Sequence, residues 1–396
     1  MYNVIKIQEG LSYVGGSDRR LALFESAYPV PRGVSYNSYV LEDEKTAVFD
    51  TVDDSVGALY FDNLEHLFGN RAPDYLIIHH MEPDHSASFS RFAEKYPTTK
   101  VVCNQKIAQM LQNFYGYKGE PLIVKDGDTL SLGKHTLRFI FAPMVHWPEV
   151  MFSYDETAHV LFSADAFGTF GALGGSIFAD EVHFERDFLN DARRYYMNIV
   201  GKYGVQVQNV LKKAATLDIK TVCPLHGPIW RKDFGWYLNK YDIWSRYEAE
   251  EKGVAIFYAS IYGHVQNAAE ILAAELARLG VDVHVYDTSV THVSKLLSEA
   301  FRYSHSVFMS CTYNGGIFSS IEGLLADLKA HNFQNRKYAV VDNGSWAPQA
   351  GAQMESILAE FKNMTKIGEK LSFVSALDEK GREALCALAK EIKASY

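Results

Sequence analysis

Four side chains able to bind a metal ion fall within the six residues His80-Met81-Glu82-Pro83-Asp84-His85, directly after the apolar run Tyr75-Leu76-Ile77-Ile78. A metal pair needs several deprotonated donors converging from rigid strand ends, and loops at strand ends supply them without burying bare backbone. Strand-like alternation points His80, Glu82 and Asp84 the same way and leaves the adjacent His85 to turn toward a second metal. Three further donors each follow a β-type apolar run: His146 in Ala142-Pro143-Met144-Val145-His146-Trp147-Pro148, Asp165 in Leu161-Phe162-Ser163-Ala164-Asp165-Ala166, and His226 in Val222-Cys223-Pro224-Leu225-His226-Gly227-Pro228. His79 points away from His80 if the strand persists, which makes it a packing or supporting residue rather than a ligand. The isolated His135 and His305 receive no assignment.

The order of these donors resembles the metallo-β-lactamase superfamily, whose pattern is His-x-His-x-Asp-His, then His, then a bridging Asp, then His. Here Glu82 stands in place of the second His. A second hard carboxylate in an imidazole-rich site shifts the preference from zinc toward iron. With that change the region resembles the di-iron domain of the flavodiiron proteins, also called A-type flavoproteins. The resemblance implies one iron held by His80, Glu82 and His146, another by Asp84, His85 and His226, and Asp165 bridging the two. It also implies a tyrosine proton donor near the diatomic pocket, Tyr195 or Tyr196, with Tyr196 as the catalytic candidate, and Trp147 as a wall of the site. Ala87, where the family usually has Gly, and His79, commonly Asn, are local departures.

The elements that must position these residues fall into two halves. Residues 1–250 are dominated by short β-runs, Tyr36 to Leu41, Thr46 to Phe49, Lys100 to Cys103, Leu137 to Phe141 and Val160 to Ser163, with helical stretches such as Phe89 to Lys95 and Ile107 to Phe114 between them. That mixture predicts an αββα sandwich with the metal ligands gathered at one sheet edge. Asp187 to Ile219 reads as helical. After the charged stretch Ser245 to Gly253 the periodicity changes, and residues 251–396 alternate strand and helix. Five strands starting near Val254, Val281, Ser306, Tyr338 and Leu371 alternate with five helices, the pattern of a flavodoxin-like doubly wound parallel sheet.

A second site lies in the loops of that half. Ser260, Ile261, Tyr262, Gly263, His264 and Val265 follow its first strand and open a helix, whose N–H groups and dipole suit a phosphate. Two further loops, Thr312-Tyr313-Asn314-Gly315 and Asn343-Gly344-Ser345-Trp346, sit where a flavodoxin holds its isoalloxazine ring. The three loops resemble flavodoxin and imply FMN bound without covalent attachment. Flavodoxins usually carry a Ser or Thr at the position of Val265; its loss removes a phosphate hydrogen bond of ~1–2 kcal/mol.

The 396 residues carry a net charge of −9, with 47% apolar and 22% charged residues. This balance suits a small-molecule enzyme and argues against nucleic acid or an anionic membrane as partner. No stretch approaches the ~18 apolar residues of a membrane span, and a cytoplasmic protein is expected. The four cysteines, Cys103, Cys223, Cys311 and Cys386, form no Cys-x-x-Cys pair, so a rubredoxin-type iron site is not indicated and the two-domain form is expected.

The resemblance, which covers essentially the whole chain, implies reduction of dioxygen to water, of nitric oxide to nitrous oxide, or both, at two non-haem irons fed by FMN. Rubredoxin or a reduced deazaflavin is the implied electron donor, and the implied assembly is a head-to-tail homodimer or a dimer of such dimers. Two competitors remain at this point: a zinc hydrolase of the same superfamily, which Glu82 and the flavin loops oppose, and a flavodoxin-like electron carrier, which the full ligand set opposes.

Overall fold

The computed structural model describes the whole chain, Met1–Tyr396. It divides into two compact units, residues 1–196 with 205–239 and residues 197–204 with 240–396.

The first unit holds two sheets. One runs Ile5–Gln8, Leu11–Tyr13, Tyr39–Leu41, Ala47–Phe49, Tyr75–Ile77, Lys100–Cys103, Leu122–Ile123; the other runs Thr129–Ser131, Thr136–Phe141, Met151–Asp155, Val160–Phe162, Thr221–Cys223. Their central strands are apolar and buried along most of their length, as strands covered on both faces must be. The two sheets meet where the Phe49 ring stacks on Phe162 at 3.8 Å. Tyr75–Ile77 pairs in parallel with both its neighbours, and Val160–Phe162 pairs in parallel with Thr221–Cys223. Parallel neighbours end on the same side, so the turns after Phe162 and Cys223 in the second sheet can deliver side chains to one place, and the turn after Ile77 approaches from the first sheet.

Helix ends follow local chemistry. The Asp53 carboxylate accepts from the Ser55 N–H to start Asp54–Phe68, and Asn104 accepts from Lys106 and Ile107 to start Gln105–Tyr115, which stops at the left-handed Gly116. Pro83 opens the single turn Pro83–Ser86, the first helical position being where proline costs nothing.

Two sequence expectations change. The run Tyr36 to Leu41 is not one strand: it holds the last residue of Val34–Tyr36 and the whole of Tyr39–Leu41. Asn37 and Ser38 leave the ladder between them: the Asn37 N–H donates to Leu225 and the Ser38 hydroxyl to the Asp50 carbonyl. The segment from Asp187 to Ile219 is also broken, into Leu189–Tyr195, a π-turn Tyr196–Val200, a 3-10 turn Gly201–Tyr203 and Gly204–Ala214.

The second unit is a parallel sheet ordered Val283–Asp287, Glu251–Ala259, Tyr303–Tyr313, Lys337–Gly344, Leu371–Val374, alternating with the helices His264–Arg278, Val293–Arg302, Ser319–Ala330, Ala350–Leu358 and Glu379–Ser395. This is the flavodoxin strand order, and its ligand crevice lies outside the carboxyl ends of the strands. Val254, Ile256, Leu272, Leu276, Val307, Val341 and Leu385 share one core cluster. No helix is long and apolar enough to cross a membrane.

Asn37 ties the first unit's sheet to the His226 turn. Its buried amide donates to the Pro224 carbonyl at 2.8 Å and the Gly227 carbonyl at 2.9 Å. Asn37→Ala strands both acceptors and is expected to lower unfolding free energy by about 2 kcal/mol. Urea denaturation followed by tryptophan fluorescence checks this, and an unchanged midpoint contradicts it.

Candidate metal centre and flavin cleft

The seven donors named from the sequence come together in two buried groups. His80, Glu82, His146 and Asp165 form one, Asp84, His85 and His226 the other, and within each the candidate ligand atoms all lie within 4.8 Å of one another. Asp165 reaches into both. Its Oδ2 is 3.2 Å from His146 Nε2 and 3.4 Å from His80 Nε2, while its Oδ1 is 3.0 Å from His85 Nε2 and 3.6 Å from His226 Nε2. The motif does not achieve this by strand alternation. The strand ends at Ile77, and the helical turn at Pro83 swings Asp84 and His85 away from Glu82 and toward His226. Asp84 Oδ2 is 3.0 Å from His226 Nε2 and 3.2 Å from His85 Nε2.

Hydrogen bonds on the far side of the donors fix their orientation. His80 Nδ1 faces Glu149 Oε1 at 2.8 Å, and the same oxygen accepts the Met81 N–H. His226 Nδ1 donates to the Ser35 carbonyl at 2.7 Å, which leaves its Nε2 as the lone-pair nitrogen. Thr51 grips the far end of the motif through the His85 carbonyl. His79 is no ligand: its backbone N–H and Nδ1 both reach Asp50, at 2.7 and 2.5 Å, and its Nε2 meets Ser153 Oγ at 2.7 Å. Asp50 follows a strand of one sheet and Ser153 lies in the other, so His79 staples the two sheets beneath His80.

Several residues beside the donors hold left-handed backbone: Met144 before His146, Ala164 before Asp165, Phe167 after it, and Gly227 after His226. Only at Gly227 is a side chain excluded outright, since a Cβ there would lie 2.3 Å from Thr169 Cγ2. At the other three positions L-residues carry strain, the kind that functional sites retain.

Burial resists charging the imidazoles, but hydrogen bonds to Glu149 and Glu82 drive His80 upward, and those to Asp165 and Glu82 push His146 to about 9. His85 rises too, against burial, through the Asp84 and Asp165 charges. Burial likewise opposes charging Asp84, Asp165 and Glu82, yet the neighbouring histidines hold all three below the usual carboxylate range. Both Asp84 oxygens and Asp165 Oδ1 are nevertheless buried without a hydrogen bond of good geometry. Buried anions packed against imidazoles are what a pair of cations would satisfy, and the mixed oxygen and nitrogen donor set fits iron.

The wall of the site is aromatic. Phe24, Tyr36 and Tyr195 set their rings 5.5, 5.8 and 5.5 Å from His226, and Trp147 stands edge-on to His80 at 5.1 Å. Of the adjacent pair, Tyr195 is the one whose ring packs against a candidate ligand, and Tyr196 is buried beside it. Burial, and after it the Asp53 and Asp84 charges, hold the Tyr36 phenol above its ordinary range, so it keeps its proton. Partial burial, then Asp84 and Glu82, raise Glu25 at a hairpin tip to about 7. Glu149, Ser35 and Tyr36 escaped the sequence reading. An acid three residues after His146 was the one available signal; nothing local marked Ser35-Tyr36.

In the second unit, Ser260, Ile261, Tyr262, His264, Thr312, Asn343, Gly344 and Ser345 line one cleft together with Cys311. Gly263 holds φ +86 with open space where a Cβ would stand, and the helix begins at His264 with its first N–H groups unused by the helix. Tyr262 and Trp346 are 76% and 87% exposed, large apolar faces awaiting a cover, with Tyr313 half-exposed and Asn314-Gly315 in left-handed turn positions. A flavin phosphate and ring fit this cradle. Three residues contribute less than their sequence position suggests. Val265 is buried in the core and offers only its N–H, the Thr312 hydroxyl accepts from Gln349, and the Asn343 amide donates to Phe373 and Ser375.

The fold and the two sites define a metallo-β-lactamase-like domain joined to a flavodoxin-like domain. The family model described as ODP family beta lactamase matches residues 34–227, and that described as Flavodoxin matches residues 256–379. A nitric oxide reductase of Moorella thermoacetica is 30% identical over 93% of this chain and 91% of its own length. The rubredoxin oxygen:oxidoreductase of Desulfovibrio gigas superposes with a TM-score of 0.93 at 27% identity, covering 99% of this chain and 98% of that one. The flavodiiron protein of Giardia intestinalis superposes with a TM-score of 0.93 at 25% identity, over 99% and 97%. The chain belongs to the flavodiiron protein family, and it is an oxidoreductase with FMN and two non-haem irons as cofactors.

The charge pattern gives the metal-free protein a definite pH response. A raised imidazole contributes stability that is fully present below about 6.5, its unfolded value. For His146 that contribution is lost as pH rises through about 9. Metal-free protein is therefore expected to melt lower at pH 9 than at pH 6.5, and metal loading should remove the decline by displacing those protons. Calorimetry of both forms checks this; a metal-free melting temperature that rises toward pH 9 contradicts it.

Proposed function

We propose that this chain reduces dioxygen, nitric oxide or both, with His80, Glu82 and His146 holding one iron, Asp84, His85 and His226 the other, and Asp165 bridging. The observation that carries the reading is the reach of the two Asp165 oxygens into separate histidine groups. When bound, FMN supplies electrons and the iron pair supplies the positions at which a diatomic gas is reduced.

The residues of the chain do the rest. Glu149 and the Ser35 carbonyl hold His80 and His226 with Nε2 facing the centre. Phe24, Trp147 and Tyr195 keep bulk water off the donors, which strengthens every charge interaction among them. Tyr36, whose phenol keeps its proton, packs edge-on against His85 and His226 and would be a proton-donor candidate at the site. Tyr195 is the second donor candidate, and Tyr196, the residue first suggested by the sequence, adjoins it.

Ser260 to Val265 would cradle the FMN phosphate, and Thr312 to Gly315 with Asn343 to Trp346 would flank the ring. The exposure of Tyr262 and Trp346 supports this reading. Rubredoxin or a reduced deazaflavin is the proposed donor, the domain boundary is proposed at residues 250/251, the assembly is a head-to-tail homodimer or a dimer of dimers, and the location is cytoplasmic. The acidic balance of the sequence agrees with a small-molecule enzyme.

Protein reconstituted with iron and FMN and driven by reduced rubredoxin is expected to consume nitric oxide anaerobically, dioxygen in a separate run, or both. Asp165→Ala should lose at least 100-fold in rate, removing a group that touches both metal positions. Equal rates in Asp165→Ala, or no uptake of either gas by protein shown to hold both cofactors, contradicts the proposal.

A further inference from the structure

The two metal positions are alike in their nearest donors. Each has two imidazoles and one carboxylate of its own, Glu82 or Asp84, and each shares Asp165. Equal donor charge alone would give the two irons similar reduction potentials. The outer partners of the histidines break the symmetry.

His80 Nδ1 meets a carboxylate, Glu149 Oε1, at 2.8 Å. That carboxylate is buried, its Oε2 has no hydrogen-bond partner, and no cationic side chain is paired with it. The Met81 N–H at 3.1 Å holds Oε1 in place, and the Asn104 amide donates to the Glu149 carbonyl at 2.6 Å. The negative charge of Glu149 is therefore directed at His80. On the other side the outer contacts are neutral or missing: His226 Nδ1 donates to the uncharged Ser35 carbonyl, and His85 Nδ1 is buried without a partner.

A hydrogen bond from an imidazole N–H to a carboxylate draws the proton away and makes the opposite nitrogen a stronger donor, more so than a bond to a carbonyl. A stronger donor stabilises ferric over ferrous iron. We propose that Glu149 makes the two metal positions unequal, so that iron held by Asp84, His85 and His226 is reduced first and iron held by His80, Glu82 and His146 second. Each step takes one electron from the reductant and turns one ferric ion ferrous. This rests on the ligand assignment above, and Glu149 acts as a positioning residue through His80.

The test is a dithionite titration of the iron-loaded protein followed by electron paramagnetic resonance, in wild type and in Glu149→Gln. Gln keeps an oxygen acceptor for His80 and removes the charge, so a purely structural role predicts no change. Wild type is expected to accumulate a half-reduced form. In Glu149→Gln the second step should become easier by at least tenfold, about 59 mV for a one-electron couple, and the half-reduced maximum should shrink. Two irons retained with the steps still equally separated overturns the proposal. If the variant does not retain iron, cobalt(II) titration decides: one of two binding steps weakened 10–100-fold with the other unchanged supports the assignment, and equal weakening of both overturns it. Failure of wild type to bind two metals would instead overturn the ligand assignment itself.

Discussion

Three carboxylates and four imidazoles are buried face to face in a space a few ångströms across, and the first unit is built around that concentration of charge. Taking an ion out of water costs several kcal/mol even after relaxation, so such a cluster persists only if each charge is answered. In the metal-free chain His80, His85 and His146 answer it by holding protons; two cations would answer it better and release those protons. Everything that orients the donors follows from this need. Asp50, Thr51, Glu149 and Ser35 each grip one of these turns from outside, the turn after Tyr75–Ile77 in one sheet or that after Thr221–Cys223 in the other.

Rigidity on one side is matched by openness on the other. The donor atoms are held by buried hydrogen bonds and by strained backbone at Met144, Ala164 and Phe167. Left-handed backbone costs an L-residue roughly 1–2 kcal/mol, tolerable only where the surrounding packing over-determines it. The flavin loops instead leave Tyr262 and Trp346 uncovered at the end of a well-packed parallel sheet. One unit fixes donor geometry before its cofactor arrives; the other presents faces whose burial the cofactor supplies. The chemistry belongs to the cofactors, and the chain contributes position, charge and exclusion of water.

The sequence was most legible where chemistry forces residue type onto strand ends. The seven candidate ligands were readable because they sit in four segments that each follow an apolar run, and none is a residue that strand packing would choose there. The five strands and five helices of the second half were readable because binary patterning matches element period. Less legible was what depends on contacts distant in sequence. Glu149 looks like an ordinary acid until its bond to His80 is seen, and Ser35 contributes only a carbonyl, which no side-chain pattern can announce. Asn37 splits an apparent strand because its partners, Pro224, Leu225 and Gly227, lie almost two hundred residues away. The helical turn at Pro83 likewise replaces the expected alternation, and so sets Asp84 beside His85 and His226.

We propose that one carboxylate, Asp165, joins two metal positions into a single centre. Mössbauer spectroscopy of the iron-loaded, oxidised protein tests it directly, since irons bridged by a shared ligand are magnetically coupled. Two ferric irons per chain with a coupled, diamagnetic ground state and oxygen and nitrogen coordination are expected. One iron per chain, or two that behave as isolated paramagnetic ions, would contradict it.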